Sequence, residues 1–189
     1  MYRANLTPIP SKNMKPVHIS IDLETLGTDP DSLVLSIGAV VFNEDEILEA
    51  MSFYPTIESQ QAYGARINHD TFLWWLKQSA EARMALVQDE RFPMEEELAA
   101  FAERLSHYGH DISPWGNGSS FDIAILNYHL GKNGVEKPWK FWNERCMREA
   151  VKHHPQVTRV KSEQPHEALA DAMAQAKTIQ AILKAQSGQ

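Results

Sequence analysis

The sequence predicts an α/β fold in which a mixed β-sheet carries helices on both faces. Three segments near the start of the chain, at 17–23, 32–42 and 47–54, have the periodicity or the apolar composition of strands. Beyond them, helical patterns alternate with two short strand candidates. An early group of strands followed by alternating strands and helices indicates a mixed sheet with helices packed on its faces.

The three early strands are defined by their patterns and by the turn between the last two. Apolar residues alternate with other residues from Val17 to Leu23, which is the period of a strand. Ser32 to Phe42 is long and mainly apolar, so we expect it at the centre of the sheet. The short polar turn at 43–46 makes the third strand, Ile47 to Tyr54, its antiparallel hairpin partner.

The rest of the chain is predominantly helical. Helices are predicted at 68–78, 79–87, from Pro93 to about 105, 121–130, 147–153 and 166–186, with short strands at 112–115 and 140–146. In the first of these helices, Trp75 is in phase with Phe72 and Leu76, so we expect it in the core. Trp74 faces elsewhere and is a candidate for contact with a substrate.

Composition limits the classes of protein that remain. A chain of 189 residues with no apolar run near 20 residues fits one globular domain and no membrane span. The net charge of −7 disfavours a protein that coats nucleic acid. Cys146 is the single cysteine, which excludes an internal disulfide and a cysteine-based zinc site and favours a cytoplasmic location.

The predicted domain organisation is simple. Residues 1–15 contain two prolines and lack the apolar core of a signal peptide, so we interpret them as a tail or a surface arm. Residues 16–186 contain no internal repeat, low-complexity tract or linker, and we expect them to form one domain.

A pair of carboxylates ends the first predicted strand, in the segment Asp22-Leu23-Glu24-Thr25. Because residues i and i+2 of a strand point to the same face, Asp22 and Glu24 lie side by side, opposite the apolar residues. Two adjacent carboxylates are costly to ionise together unless a cation lies between them. Mg²⁺ and Mn²⁺ prefer such oxygen ligands, so the strand end is a candidate metal site.

Two further polar patches follow this pair. Asn117-Gly118-Ser119-Ser120-Phe121-Asp122 lies where a strand leads into a helix, and His166-Glu167-Ala168-Leu169-Ala170-Asp171 enters the last helix. Each alone has an ordinary explanation, since Asp122 would cap a helix and His166 and Asp171 would be surface residues. These patches become informative in combination with the carboxylate pair Asp22 and Glu24.

In this order, the three patches resemble the DEDD superfamily of 3′-5′ exonucleases. Four residues separate the histidine from the last aspartate, which is typical of the DEDDh branch, and the resemblance spans 17–183. The Trp74-Trp75 pair and the Trp115-Gly-Asn-Gly opening of the second patch look most like a small exoribonuclease subfamily of mycobacteria and phages. The resemblance implies an RNase H-like fold with a mixed five-stranded sheet.

The resemblance also implies a mechanism with two ions, Mg²⁺ or Mn²⁺. Asp22 would bridge both metals, Glu24 and Asp171 would hold the metal on the nucleophile side, and Asp122 would hold the second, mainly through water. His166 would be the general base. The reaction would release nucleoside 5′-monophosphates from the 3′ end of RNA or single-stranded DNA, with RNA slightly favoured.

The spacing of His166 and Asp171 carries a geometric constraint. Five residues of ideal helix rotate a side chain by about 140°, so the two side chains would diverge on one helix. They converge only if His166 lies in the preceding loop or the first turn, as Pro165 suggests. We expect the 155–165 loop to carry His166 into the site when substrate and metals are present.

Several residues are candidate substrate contacts. Leu23 and Phe121 would wedge or stack the terminal bases, and Trp74 would touch the substrate. By the resemblance, Thr25 would lie near the 3′-terminal sugar. Arg159, on the 155–165 loop, would meet the phosphate backbone. Scattered basic residues are weaker candidates, for which an ordinary surface position is the simpler interpretation: Arg66, Lys77, Arg145, Arg148 and Lys152.

Two alternatives to a general exonuclease stay open. One is a non-catalytic nucleic-acid-binding module of the same fold, although clustered carboxylates would repel phosphate in a pure binder. The other is an oligoribonuclease-like enzyme for very short substrates. A homodimer is common among related small exonucleases and is a further expectation from the resemblance.

Overall fold

The computed structural model describes residues 15–188, so all but the last residue of the predicted N-terminal tail lies outside the described residues. The strands are β1 (His18–Thr25), β2 (Val34–Phe42), β3 (Ile47–Phe53), β4 (Ser113–Gly116) and β5 (Arg145–Cys146). The helices are α1 (Ile57–Gln61), α2 (His69–Leu76), α3 (Ala80–Ala85), α4 (Met94–Ser106), α5 (Asp122–Lys132), α6 (Met147–His153) and α7 (Ala168–Ser187).

The five strands form one mixed sheet in the order β3-β2-β1-β4-β5. The pairs β1–β2 and β2–β3 are antiparallel, whereas β4 is parallel to both β1 and β5. The predicted mixed sheet and the hairpin of the second and third strands are confirmed. Within 15–188, no helix combines the length and the apolar character that crossing a bilayer requires.

The strand predicted at 140–146 is mostly wrong. Only Arg145–Cys146 pairs with β4, and a 3₁₀ turn occupies Phe141–Asn143. Phe141 and Trp142 are exposed, so these apolar side chains do not pack against the sheet.

One face of the sheet packs against α4 and α5. Ile19, Ile21 and Leu23 of β1 point to this side and join a buried cluster with Phe101 of α4 and Leu126 of α5. The alternation in the sequence therefore corresponds to a strand that buries one row of side chains in a helical layer.

The other face of the sheet packs against α7 and α6. Gly38 of β2, the register partner of Asp22, makes the close approach of α7 possible. A Cβ at Gly38 would lie 2.1 Å from the carbonyl oxygen of Ala168, the first residue of α7. The missing side chain thus lets the start of α7 rest on the sheet beside Asp22.

The two tryptophans of α2 have different environments. Trp75 is buried, and its indole Nε1 donates a hydrogen bond of 2.9 Å to the carbonyl oxygen of Thr25. Its predicted core position is confirmed. Phe72 and Leu76, which share its helical phase, are exposed. Trp75 packs from α2 against the end of β1, whereas Phe72 and Leu76 point to solvent.

Candidate active site

Asp22 and Glu24 lie near the end of β1, on the face that α7 covers. Gln175 of α7 donates a hydrogen bond of 2.6 Å from Nε2 to Oδ1 of Asp22. Glu24 is only 7% exposed. A register irregularity between Glu24 and Thr25 ends the regular pairing with β2 at this point. Bulges of this kind often redirect side chains beside functional sites.

Asp122 reaches the same region from the start of α5. Its Oδ1 accepts a hydrogen bond of 3.2 Å from the backbone N–H of Leu23, which connects the helix to β1. Gly116, at the end of β4, leaves room for this carboxylate, since a Cβ there would lie 3.0 Å from Asp122 Oδ2. Asp122 is 3% exposed and therefore buried despite its charge.

Asp171 and His166 enter from the N-terminal end of α7 and the loop before it. Oδ2 of Asp171 accepts a hydrogen bond of 3.0 Å from the backbone N–H of His166. His166 has a φ of 67°, in the left-handed region. This reversal of the chain brings the ring toward an aspartate only five residues away, as the spacing requires. Glu167 caps the helix through the N–H groups of Leu169 and Ala170.

Donor atoms of three of these side chains form a compact cluster. One ligand atom each from Glu24, His166 and Asp171 lies within 4.8 Å of the others. The ring of His166 is therefore already in the site in this conformation, and the loop movement expected from the sequence is not needed to place it there.

Aromatic side chains hold the histidine ring on its other side. The ring of His166 packs edge-to-face on Trp74 at 5.2 Å and on Trp75 at 6.1 Å, measured between ring centroids. The two indoles pack edge-to-face on each other at 5.0 Å. Aromatic pairs at these distances are favourable and restrict ring orientation.

The electrostatics of the buried carboxylates are unusual. Burial raises the pKa of Asp22 well above its ordinary value, and the charges of Asp122, Glu24 and Asp171 add to this effect. Burial likewise raises the pKa of Glu24 to about 8, with further contributions from Asp171 and Asp122. The pKa of Asp122 rises to about 6, because burial outweighs the backbone N–H groups that stabilise its ionised form.

These residues fit divalent metal ions. The raised pKa values of Asp22, Glu24 and Asp122 favour bound cations, because a cation stabilises the ionised form of buried carboxylates. The carboxylate oxygens suit Mg²⁺ and Mn²⁺ better than softer metals. The donor set therefore meets the requirement for the predicted metal site.

The carboxylates border an open cavity of about 670 Å³. Leu23, Thr25, Trp74 and Phe121 also line it, as the sequence predicts for substrate contacts. The hydroxyl of Thr25 donates a hydrogen bond of 2.6 Å to the carbonyl oxygen of Gly27, so the oxygen of this hydroxyl is left to accept from a ligand.

Arg159 is the one predicted site residue that does not line this cavity. Its guanidinium donates a hydrogen bond of 2.7 Å to the side-chain oxygen of Asn117. It borders a neighbouring cavity of about 210 Å³ together with Ser162 and Gln175. The structure therefore places Arg159 as a link between the 155–165 loop and the loop before α5.

The polar residues of the site without a specific predicted role include Gln175 and Arg148. Gln175 follows Asp171 by four residues, so the helical period alone would have placed it on the same face. Arg148 lines the main cavity, although its sequence context resembles that of an ordinary surface residue. Its position depends on how α6 packs beside β4, which no local pattern reveals.

The fold is that of RNase H-like exonucleases. Escherichia coli exonuclease I in complex with a 5cy-dT13 oligonucleotide matches with a TM-score of 0.62 and 16% identity, over 92% of this chain and 42% of that one. A product-bound exonuclease I matches with a TM-score of 0.61 and 14% identity, over 90% of this chain and 44% of that one. This chain thus spans less than half the length of these proteins.

A shorter nuclease matches over almost its whole length. The nuclease domain of 3′hExo, a DEDDh family member bound to rAMP, has a TM-score of 0.60 and 15% identity, with 92% of this chain and 94% of that one covered. At such identities these similarities define the fold. They confirm the predicted α/β class with its mixed five-stranded sheet.

The family is defined by the sequence itself. Residues 17–183 match the model of the Rv2179c-like 3′-5′ exoribonuclease domain, and the chain therefore belongs to this family. Among proteins of curated function, none matches the sequence. The family confirms the predicted 3′-5′ exonuclease class and the resemblance to the small exoribonuclease subfamily.

Proposed function

We propose that this protein hydrolyses the 3′-terminal phosphodiester bond of RNA and releases nucleoside 5′-monophosphates. The convergence of Glu24, His166 and Asp171 within 4.8 Å, beside the buried Asp22 and Asp122, carries the proposal. Single-stranded DNA is the second substrate class. RNA is favoured because of the family to which the chain belongs.

The proposed cofactors are two ions, Mg²⁺ or Mn²⁺, held by Asp22, Glu24, Asp122 and Asp171. When bound, they would supply Lewis acidity to the phosphate oxygens and lower the pKa of the attacking water. The raised pKa values of Glu24 and Asp122 support this role, because ionised carboxylates at these positions need a positive partner.

His166 is the proposed general base. Its ring lies beside Glu24 and Asp171, and the edges of Trp74 and Trp75 limit its rotation. A ring held in this way can accept the proton of the attacking water without reorienting during the reaction. The backbone N–H of His166 at the same time orients the Asp171 carboxylate.

The remaining cavity residues would select a strand end. Leu23 and Phe121, which line the cavity, would contact the terminal base, and the exposed ring of Trp74 would stack on a base. The oxygen of Thr25 would accept a hydrogen bond from the terminal sugar. Arg159 is proposed to act indirectly, by tying the 155–165 loop to Asn117.

Three broader proposals accompany the activity. Residues 16–186 form one exonuclease domain, in agreement with the family match over 17–183. The compartment is the cytoplasm, where a single cysteine would stay reduced. The protein forms a homodimer, which sedimentation equilibrium of the full chain would test.

The test is cleavage of a 20-nucleotide RNA labelled at its 5′ end, with the matched DNA in parallel. With Mg²⁺ or Mn²⁺, we expect a ladder of products shortened from the 3′ end and nucleoside 5′-monophosphates identified by chromatography. EDTA should stop the reaction. A circular RNA of the same sequence should stay intact, because it offers no end.

Other outcomes would contradict the proposal in distinct ways. Cleavage of the circle would indicate an endonuclease, and release of 3′-monophosphates would exclude the proposed direction of attack. Binding of the linear RNA without shortening would favour the non-catalytic module. A length series from two to twenty nucleotides would separate a general exonuclease from an oligoribonuclease-like enzyme, which should act mainly on the shortest substrates.

A further inference from the structure

Arg148 is the basic residue of the main cavity. Of the lysines and arginines in the described part of the chain, it alone lines the cavity that the four carboxylates border. Its guanidinium makes no hydrogen bond or ion pair with any of the described residues 15–188. By contrast, Arg66 and Arg104 pair with Asp31 and Glu49 on the surface.

Local structure does not explain an arginine at this position. Arg148 is the second residue of α6, where a positive charge opposes the helix dipole. The residue is exposed and contributes nothing to the buried core. A residue that disagrees with its local environment in this way is more often retained for a ligand than for folding.

The guanidinium of Arg148 lies near the loop before α5. A Cβ on Gly118 would lie 4.0 Å from the central carbon and from both terminal nitrogens of Arg148, so the guanidinium group lies over this glycine. The backbone N–H of Arg148 also donates a hydrogen bond of 3.2 Å to the carbonyl oxygen of Asn117.

The same loop continues into Asp122. A Cβ on Gly116 would lie 3.0 Å from Asp122 Oδ2 and 3.3 Å from the carbonyl oxygen of Gly118. Arg148 therefore borders the Asp122 side of the cavity. The compact cluster that contains the proposed general base consists of other residues, namely Glu24, His166 and Asp171.

The proposed reaction gives the two sides different roles. Phosphoryl transfer proceeds in line, so the leaving oxygen departs opposite the attacking water. The water is activated on the His166 side. The leaving oxygen is the 3′ oxygen of the penultimate nucleotide, which belongs to the strand that the enzyme retains after cleavage.

We propose that Arg148 binds the first phosphate of the retained strand, which is the phosphate on the 5′ side of the penultimate nucleotide. This inference rests on the proposed function. The guanidinium lies over a glycine and has no hydrogen-bond partner among the described residues. It is therefore well suited to a bidentate phosphate contact. The enzyme would thus read one phosphate beyond the bond that it cleaves.

The test uses two dinucleotides that differ only in this phosphate. ApA contains the scissile phosphate alone, whereas pApA also has the 5′ phosphate assigned to Arg148. The wild-type protein should cleave pApA with a kcat/KM roughly 10- to 100-fold higher, which is typical of one hydrogen-bonded charge. Arg148→Gln should lose this preference and retain its activity on ApA.

The matched control is Lys152→Gln, which removes a positive charge from the same helix outside the cavity. It should keep the wild-type preference. The ratio of the two substrates does not depend on the fraction of protein that is folded, so a destabilised variant remains informative. As a second measure on long RNA, Arg148→Gln should lower the salt dependence of binding by about 0.7 in the logarithmic slope.

The possible failures are distinguishable. If the wild-type protein cleaves neither the two dinucleotides nor any RNA of greater length, the proposed function itself fails. If it cleaves RNA but does not prefer pApA, the assignment of Arg148 is overturned. The same conclusion follows if Arg148→Gln retains the preference, or if it loses activity equally on ApA and pApA.

Discussion

The candidate active site has two contrasting sides. The carboxylate floor consists of Asp22, Glu24 and Asp122, which are held by a central strand and the start of a helix. The aromatic wall consists of Trp74, Trp75 and His166, which come from the short helix α2 and the loop before α7. Burial shifts the pKa values of the floor strongly, whereas the wall is held by edge-to-face aromatic contacts.

The difference shows how the molecule separates charge from positioning. The floor carries its carboxylates on the central strand β1 and at the start of α5, so the geometry of Asp22 and Glu24 is set by backbone pairing. The wall has no such backbone support and depends on side-chain packing. Of its three residues, only Trp75 is buried. Changes in the floor should therefore alter chemistry, while changes in the wall should alter placement of the base and the substrate.

The largest effect is expected in the floor. Asp22→Asn or Asp122→Asn should reduce cleavage of 5′-labelled RNA by more than about 10³-fold, because each removes a proposed metal ligand. Circular dichroism should show an unchanged fold, since the shape of the side chain is kept. Asp111→Asn, which removes an exposed carboxylate of a surface ion pair, is the matched control and should be fully active. Substantial activity in either floor variant would refute the metal site.

Loss of the histidine from the wall should have the next largest effect. His166→Ala should lower kcat by roughly 10²- to 10⁴-fold, the range typical of a missing general base. Its KM for RNA should change much less than kcat, since the ring is proposed to act on the attacking water. His153→Ala, which changes an exposed histidine on α6, should behave like the wild-type protein. A His166→Ala variant with near-normal kcat would place the base elsewhere.

The two tryptophans should separate placement from stability. Trp74→Ala should raise KM for RNA about tenfold through lost base stacking and leave thermal stability nearly unchanged. Trp75→Ala should lower the free energy of unfolding by about 3–5 kcal/mol, because it opens a cavity and leaves the Thr25 carbonyl oxygen without its donor. Kinetics and chemical denaturation of both variants provide the comparison. Equal effects on stability would show that the wall is packed uniformly.

The last prediction concerns how the stability of the metal-free protein depends on pH. Because the folded-state pKa of Glu24 is about 8, above its ordinary 4.5, the folded protein binds more protons between these values. Its free energy of unfolding should therefore be highest near pH 5 and fall as the pH rises through 8. One such group contributes a slope of up to about 1.4 kcal/mol per pH unit.

Denaturation in EDTA at several pH values would measure this slope. Glu24→Gln should flatten it, and Mg²⁺ should stabilise the wild-type protein more at pH 8 than at pH 5, since cations bind the ionised carboxylates. An identical slope in Glu24→Gln and the wild-type protein would show that Glu24 does not control it.

The sequence by itself determined the elements that follow a clear period. The alternation from Val17 to Leu23 correctly placed Asp22 and Glu24 on one face of a strand, because side-chain direction in a strand is a local property. The spacing of His166 and Asp171 likewise required a loop before the helix, and the positive φ of His166 satisfies that requirement.

Only the tertiary structure decided how separate segments meet. The segment at 140–146 has an apolar composition but turns away from the sheet, and Phe72 and Leu76 share the phase of Trp75 yet face solvent. Arg159 is the predicted phosphate contact and Arg148 only a weaker candidate, but only Arg148 borders the main cavity. Local periodicity specifies the direction of a side chain within its own element, whereas its neighbours depend on contacts between residues far apart in the chain. At Gly38, for example, the absence of a single Cβ lets α7 bring Asp171 to the carboxylates of β1.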